Sequence, residues 1–371
     1  MNVLLVRRGS ITIVDGISTY ILELASALNE LGHKVYILCG QCSNTNDMEY
    51  YLKEHFFGEN VPNIKIINWG KVTYIPNIKK QIMLKRISEE LNIDVVHFNG
   101  FVPYFIDLRR ATVMTHHGFP LFVGYNIRMP LHLIGYRILQ YVSRYDWVIA
   151  LSRKHLRELK ELAPKLAEDS VVIPPGIDIQ RIRRIVGRID VKRKNTVLHI
   201  GTRHQKNPEI SVLAFAIAYK RYGVKEANLT IVGNPTKNLL HVLQELPSDI
   251  RSRVTFVRTL PKTQLLKLIA EARILLAPSI YEAFPILSLE AIALGTPIIV
   301  SSAIPEEVVA NGVTGFRVND PLNYKAFGKL LARVLKDESL WSELHKKCLK
   351  RAEMFDSRRI AKILIKTYKE L

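Results

Sequence analysis

The chain contains few cysteines and no long hydrophobic run. Only three of its 371 residues are cysteine, which argues against a fold held together by disulfides. No stretch of about eighteen apolar residues occurs, so we predict no membrane-spanning helix. The apolar residues 3–6 precede Arg7 and Arg8 instead of following a basic segment, and therefore predict a first β-strand rather than a signal peptide. These features lead us to expect a cytoplasmic protein.

Recognisable redox and metal motifs are also scarce. Cys39 and Cys42 form a C-x-x-C pair, but residues 40–46 are typical of a loop, whereas a redox pair normally opens a helix. A zinc site would need further ligands, and Cys348 is distant in sequence. No G-x-G-x-x-G follows the apolar runs at 3–6 or 196–200, which argues against a nicotinamide-dependent dehydrogenase. No D-x-D stands out, so we predict no metal site.

Positive charge, by contrast, is abundant. The formal net charge is +19, which favours anionic partners such as nucleic acid, acidic lipid or phosphorylated substrates. Basic residues cluster at 79–86 and 181–194, and the apolar segment 129–139 is flanked by Arg128 and Arg144. Mixed basic and apolar residues are typical of interfacial helices, but solvated faces and core helices are the simpler explanation. An anionic membrane surface is thus one expected partner, and specific nucleic-acid binding is not expected.

Short apolar runs alternate with helical spacing, which predicts two α/β domains with parallel sheets. In the first half the runs end at Val6, Leu38, Ile67, Phe98, Thr115 and Leu151. In the second half they cover 196–201, 229–233, 254–257, 274–278 and 297–301. The Pro-Pro-Gly sequence at 174–176 and the basic stretch after it predict a linker over 176–194.

The most informative segment is 278–297, which has the pattern strand, loop, helix, strand. It places Glu282 in the loop and Glu290 on the helix. The helix is predicted to begin near Ile286 and Leu287, where free N–H groups and the macrodipole attract anions. Carboxylates bind sugar or ribose diols well, because each offers two acceptor oxygens. Carboxylates that merely cap the helix would fit the pattern about as well.

This segment resembles the E-x7-E signature of the retaining GT-B glycosyltransferases of family 4 (glycosyl transferases group 1). The match is in register at Pro278, Ser279, Glu282, Phe284, Glu290, Ala291, Ala293, Gly295 and Pro297. Pro285 replaces the family's usual glycine and removes an N–H, so phosphate binding would depend on the N–H groups of Ile286 and Leu287.

Other segments resemble the family in the same order. Gly16 lies in a segment similar to the loop that faces the donor phosphates, although Asp15 replaces its first glycine. His117 corresponds to a histidine near the donor sugar, and fits better than His116. Residues 201–208 resemble the segment that holds the diphosphate, with Gly201, Arg203 and Lys206 as the matching positions.

The resemblance implies a GT-B fold, with two Rossmann-like domains facing across a cleft. Residues 1–175 would bind the acceptor and 195–356 the nucleotide sugar, while 357–371 would form a helix that crosses back to the first domain. Lys206 and Arg203 would meet the charge on the departing diphosphate without a metal. Glu282 and His117 would bind the donor sugar, and Glu290 the ribose.

The implied function is retaining, metal-independent transfer of a hexose from a nucleoside-diphosphate sugar, the co-substrate, with no other cofactor. The basic and apolar region from Lys79 to Arg144 suggests a lipid-linked or anionic acceptor, with peripheral binding to the inner face of the membrane. Two alternatives stay open: a GT-B nucleotide-sugar epimerase and a non-catalytic basic protein that binds phosphates or nucleotides through charge alone.

Overall fold

Two parallel β-sheets organise the chain. The computed structural model describes residues 1–12, 15–40, 52–57, 62–70, 77–102, 104–119, 140–141, 145–187, 193–258 and 260–371. These residues form two compact units: the first contains the residues up to Asp178 together with Phe355–Leu371, and the second contains Ile179–Met354. No helix in the described ranges is long and apolar enough to cross a membrane.

The first unit has a seven-stranded parallel sheet in the order β3-β2-β1-β4-β5-β6-β7. Its strands are β1 (Asn2–Arg7), β2 (Lys34–Cys39), β3 (Lys65–Asn68), β4 (Val95–Asn99), β5 (Ala111–His116), β6 (Trp147–Ala150) and β7 (Ser170–Val172). Its α-helices are α1 (Gly16–Glu30), α2 (Ile78–Glu90), α3 (Arg153–Leu162), α4 (Pro164–Ala167) and, near the end of the chain, α13 (Ser357–Lys369). A π-helical turn covers Lys53–Phe57.

The second unit has a six-stranded parallel sheet in the order β10-β9-β8-β11-β12-β13. Its strands are β8 (Thr196–Ile200), β9 (Asn228–Val232), β10 (Val254–Val257), β11 (Ile274–Ala277), β12 (Ile298–Ser301) and β13 (Gly315–Val318). Its α-helices are α5 (Ile179–Gly187), α6 (Pro208–Tyr222), α7 (Lys237–Gln244), α8 (Ser248–Arg251), α9 (Lys262–Glu271), α10 (Ile286–Ala293), α11 (Tyr324–Lys336) and α12 (Glu338–Ala352). Short 3₁₀ turns cover His204–Lys206 and Glu353–Phe355.

The central strands of both parallel sheets are buried, because the helices that connect parallel strands cover both faces of a sheet. Val3, Leu4, Leu5 and Val6 of β1 are all 0% exposed, as expected for a strand covered by helices on both faces. The predicted α/β fold with two parallel sheets is confirmed. In each sheet the strand order reverses once, between β1 and β4 and between β8 and β11. Ligands of open α/β sheets bind at the carboxyl ends of the strands beside such a reversal.

The domain division differs from the predicted one, in which 176–194 is a linker. The second unit begins at Ile179, and residues 179–187 form helix α5, which packs with α9 and α10. Its buried residues Ile179, Ile182 and Val186 follow helical spacing, which the surrounding arginines obscure in the sequence. At the other end, the first unit resumes at Phe355, two residues before the predicted return at 357.

Arg183 and Arg193, both in the predicted linker, bind backbone carbonyl groups of the second unit. Arg183 Nε donates to Ala293 O at 3.1 Å, and Arg193 Nη2 donates to Leu294 O at 2.6 Å. Burial lowers the pKa of Arg193 to about 10. These arginines stabilise the end of α10, so part of this basic cluster has a structural role. Arg188 and Lys192 lie outside the described residues.

Two strands, β7 and β13, do not follow from the apolar runs of the sequence. β7 has only three residues, and β13 begins with Gly315, which sequence patterns associate with turns. The C-x-x-C spacing, from which the sequence predicts no function, includes a bonded cysteine: Cys39 is disulfide-bonded, whereas Cys348 is free and buried. Cys42 lies outside the described residues.

Candidate active site

Lys206 and Glu282 are brought together at the carboxyl ends of the neighbouring strands β8 and β11. Lys206 Nζ forms an ion pair with Glu282 Oε1, and Ser279 Oγ donates a hydrogen bond to the same oxygen at 3.2 Å. The two charged side chains are only 17% and 14% exposed. Because the pair is partly desolvated, the attraction between its two charges is stronger than in an exposed ion pair.

The backbone after β8 explains how Lys206 reaches this position. Gly201 has φ +99°, and a Cβ there would lie 3.1 Å from Lys206 Cγ. The Ile280 N–H donates to Gln205 O at 2.8 Å, which ties the two loops together. Beneath them, His199 Nε2 donates to Gly201 O at 2.7 Å and burial lowers the pKa of His199 to about 4. A neutral histidine therefore supports the predicted donor loop.

Glu290 lies on α10 and is fully buried. Its Oε1 forms an ion pair with Lys262 Nζ, whereas Oε2 has no hydrogen-bond partner among the described residues. Lys262 was missed by sequence reasoning. The sequence signal for it is weak: Lys262 opens α9, after the short connection 258–261 that follows β10.

The N-terminus of α10 is arranged as the sequence predicts. Pro285 is its N-cap, with φ −85° and no side-chain cap, and the first turn contains no acidic residue. Ser288 N–H bonds to Pro285 O at 3.0 Å. The N–H groups of Ile286 and Leu287 have no acceptor within the helix, because they belong to its first turn. They are the groups that an anion would meet.

Arg203, unlike Lys206, is not held in place by an ion pair with a described residue. It precedes the 3₁₀ turn His204–Lys206 and is exposed. Within the described ranges its side chain makes no hydrogen bond or ion pair, so its role in binding the diphosphate stays a prediction.

In the first unit, Gly16 begins α1 beside the end of β1. Asp15 is the N-cap of this helix, accepting from Ser18 N–H at 2.8 Å, and Arg7 holds its carboxylate through contacts of 3.1 and 2.7 Å. The replacement of the family's first glycine by Asp15 is therefore accompanied by a neutralising arginine. A Cβ at Gly16 would meet none of the described residues within 4 Å, so no contact with them requires glycine at this position.

His117 follows β5, and its ring packs edge-on against Tyr20 with centroids 4.9 Å apart. Its Nε2 is buried without a hydrogen-bond partner among the described residues. Burial, followed by the neighbouring His155, His97 and Arg7, lowers the pKa of His117 well below its usual value, so the ring is neutral at pH 7. His116 instead hydrogen-bonds His155 at 2.8 Å.

A chain of buried hydrogen bonds supports Tyr20. Its hydroxyl lies 3.1 Å from Thr115 Oγ1, which is 2.7 Å from His97 Nε2. His97 Nδ1 lies 2.6 Å from the hydroxyl of Tyr368 on α13. The C-terminal helix thus contributes to the packing beneath His117. In the part of the chain that the structure describes, no three His, Cys, Asp or Glu residues are grouped as metal ligands.

Two family models match adjacent parts of the chain. The model of Glycosyltransferase Family 4 matches residues 14–181, and that of Glycosyl transferases group 1 matches residues 182–354. A D-inositol 3-phosphate glycosyltransferase of Nocardia farcinica is 29% identical over 48% of this chain and 43% of its own length. Further enzymes of that name match over 50–58% of their lengths, so the chain spans about half the length of these curated relatives.

Other similarities extend over nearly the whole chain. An uncharacterized glycosyltransferase of Methanocaldococcus jannaschii is 26% identical over 88% of this chain and 86% of its own. Sucrose-phosphate synthase from Thermosynechococcus elongatus has a TM-score of 0.73 at 20% identity, covering 100% of this chain and 98% of the other. Anabaena HepE in complex with UDP-glucose has a TM-score of 0.70 at 18% identity, covering 100% of both chains. At these identities the structural similarities establish the fold.

Proposed function

Because the chain belongs to the group 1 and family 4 glycosyltransferases of the GT-B type, we propose that it transfers a hexose from a nucleoside-diphosphate sugar with retention of configuration. The observation that carries the proposal is the pairing of Lys206 with Glu282 beside the N-terminus of α10, at the strand reversal of the second unit. Cations and free N–H groups at that edge suit a diphosphate, and the carboxylates suit hydroxyl groups.

In the proposed reaction, the bond between the anomeric carbon and the diphosphate oxygen breaks, and its electron pair stays on the diphosphate. Lys206 and the N–H groups of Ile286 and Leu287 stabilise the negative charge that develops there, so no metal is needed. The acceptor hydroxyl oxygen forms the new bond to the anomeric carbon, and its proton leaves with the diphosphate. Glu282 and His117 hold the hydroxyl groups of the donor sugar, and Glu290 holds the ribose.

The test is donor cleavage with UDP-, GDP- and ADP-sugars in the presence of EDTA, on the wild type and on Lys206→Ala and Glu290→Ala. The UDP-glucose complex of the Anabaena protein makes UDP-sugars the first choice. Release of one nucleoside diphosphate by the wild type, lost in both variants, would support transfer. A protein that binds phosphates through charge alone would cleave no donor, and its nucleotide binding would not be weakened by Glu290→Ala. Release of free sugar with a changed configuration would favour an epimerase.

We also propose a lipid-linked or anionic acceptor reached at an anionic membrane surface. Helix α2 exposes Ile78 (48%) and Ile82 (57%), and Phe105 (51%) is held next to it by a 2.9 Å hydrogen bond from its N–H to Gln81 Oε1. The exposed cation Lys79 lies on the same helix. Apolar side chains beside cations favour binding to anionic interfaces. The predicted segment 129–139, with Arg128 and Arg144, lies outside the described residues.

Vesicle sedimentation tests this second proposal. We expect binding to vesicles that contain anionic lipid, none to neutral vesicles, and weaker binding by the double variant Ile78→Ser, Ile82→Ser. Leu322→Ser is the matched control, because Leu322 is similarly exposed (58%) on the second unit. Equal binding to neutral and anionic vesicles would contradict the proposal.

A further inference from the structure

Glu290 presents one satisfied and one unsatisfied carboxylate oxygen. The side chain is 0% exposed, Oε1 is paired with Lys262, and Oε2 has no hydrogen-bond partner in the described part of the chain. A buried acceptor without a partner is costly, about 1–3 kcal/mol and more for a charged group. Such an oxygen is explained if a ligand hydroxyl donates to it, and the proposed donor has such hydroxyls on its ribose.

The position of Lys262 is not explained by the stability of its own helix. Lys262 is the first residue of α9, and a cation at a helix N-terminus is disfavoured by the macrodipole. The first turn of α9 contains no acidic residue to compensate. Yet the ammonium group points inward, with 17% of the side chain exposed, to meet a carboxylate from another helix. The pairing with Glu290 therefore accounts for this placement.

We propose that Lys262 is a donor-positioning residue that prepares Glu290 for the ribose. Its ammonium group holds Oε1, fixes the carboxylate orientation and compensates the buried negative charge. Oε2 then remains as the acceptor for a ribose hydroxyl of the nucleoside diphosphate. This inference rests on the proposed function and adds to it a residue that lets the site distinguish ribose from deoxyribose.

The test compares binding of a ribonucleoside diphosphate with its 2′- and 3′-deoxy forms by calorimetry, using UDP, GDP or ADP as selected by the donor screen. For the wild type we expect the loss of the relevant hydroxyl to weaken binding about 10–100-fold, the value of a hydrogen bond to a charged group. For Lys262→Met we expect weaker ribonucleotide binding and a ribose-to-deoxyribose ratio reduced to about 3 or less. Lys262→Arg should restore part of the ribose-to-deoxyribose ratio that Lys262→Met loses. In donor cleavage, Lys262→Met should have a raised KM and a kcat close to that of the wild type.

Lys267→Met is the matched control, because Lys267 lies on the same helix and its pairing with Glu271 at 3.9 Å is away from Glu290. An unchanged ratio in Lys262→Met would overturn the inference, even if overall affinity fell, because a merely structural role would weaken all nucleotides equally. Thermal unfolding of Lys262→Met and Lys262→Arg shows whether each variant is folded, so a loss of ribose selectivity can be distinguished from a loss of fold. Failure of the wild type to bind any of the three diphosphates would instead contradict the proposed function.

Discussion

At the level of single residues, two lysine–glutamate ion pairs distinguish the candidate site of the second unit. The sequence singled out Lys206, Glu282 and Glu290 by their register with the family, but it did not pair them. In the structure each glutamate has its own lysine, Lys206 for Glu282 and Lys262 for Glu290. Such pairs depend on which loops and helices meet in the folded unit, and sequence spacing alone does not specify this.

Lys206→Ala should reduce donor cleavage about 10²–10³-fold, equivalent to roughly 3–4 kcal/mol, because it removes the cation proposed to stabilise the departing diphosphate. Arg203→Ala should have a smaller effect, since that exposed side chain makes no described contact. Lys237→Ala, at an exposed position on α7, serves as the control for general loss of positive charge. The measurement is kcat/KM for donor cleavage. An equal loss of kcat/KM in Arg203→Ala and Lys206→Ala would contradict the expectation that Lys206 contributes more than Arg203 to donor cleavage.

At the level of secondary-structure elements, the pairing of β12 with β13 depends on a single glycine. Two glycines, Gly312 and Gly315, lie just before and at the start of β13. Gly315 begins β13 with φ +149°, and a Cβ there would lie 1.7 Å from Ile298 O of β12. Gly312 has φ +72° but open space around it. One glycine is thus required by contact with the neighbouring strand, the other by conformation alone.

Gly315→Ala should therefore destabilise the second unit by roughly 3 kcal/mol or more, because β12 and β13 cannot pair without moving apart. Gly312→Ala should cost only about 1–2 kcal/mol, the strain of a left-handed residue with a side chain. Urea unfolding of both variants measures the difference. Equal destabilisation would mean that β13 adapts to the extra methyl group.

At the scale of the whole molecule, buried histidines couple stability to pH. Among the described residues burial lowers the pKa of six histidines: to about 3 for His97, to about 4 for His155 and His199, well below the usual value for His116 and His117, and below it for the more exposed His33. In the unfolded chain these groups take up protons near pH 6.5. The unfolded state therefore binds more protons between about pH 6.5 and pH 4, and stability must fall as the pH decreases through that window.

The free energy of unfolding should be nearly constant above pH 7 and decrease by up to about 1.4 kcal/mol per pH unit for each histidine below pH 6. Urea titrations at pH 7.5, 6 and 5 measure this slope. His199→Gln should make the slope of the second unit shallower, since glutamine does not titrate. A free energy of unfolding that is equal at pH 7.5 and pH 5 would contradict the prediction.

The sequence by itself determined the fold class, the approximate position of most strands and the family. The apolar runs indicate strands that are buried on both faces of a sheet, and they alternate with helical segments along the chain. Residues 278–297 form a local strand, loop and helix. Both features depend on neighbouring residues, so they can be predicted without tertiary information. Through the family resemblance the sequence also identified Lys206, Glu282 and Glu290 as candidate residues of the donor site.

Only the tertiary structure decided which of these residues touch. In the structure Lys262 forms an ion pair with Glu290, and residues 179–187 of the predicted linker form helix α5. Tyr368 hydrogen-bonds His97, which lies 271 positions earlier in the sequence. The physical reason is common to all three. A side chain that pairs with a distant group, or packs on a distant helix, satisfies a requirement of burial that local spacing does not record.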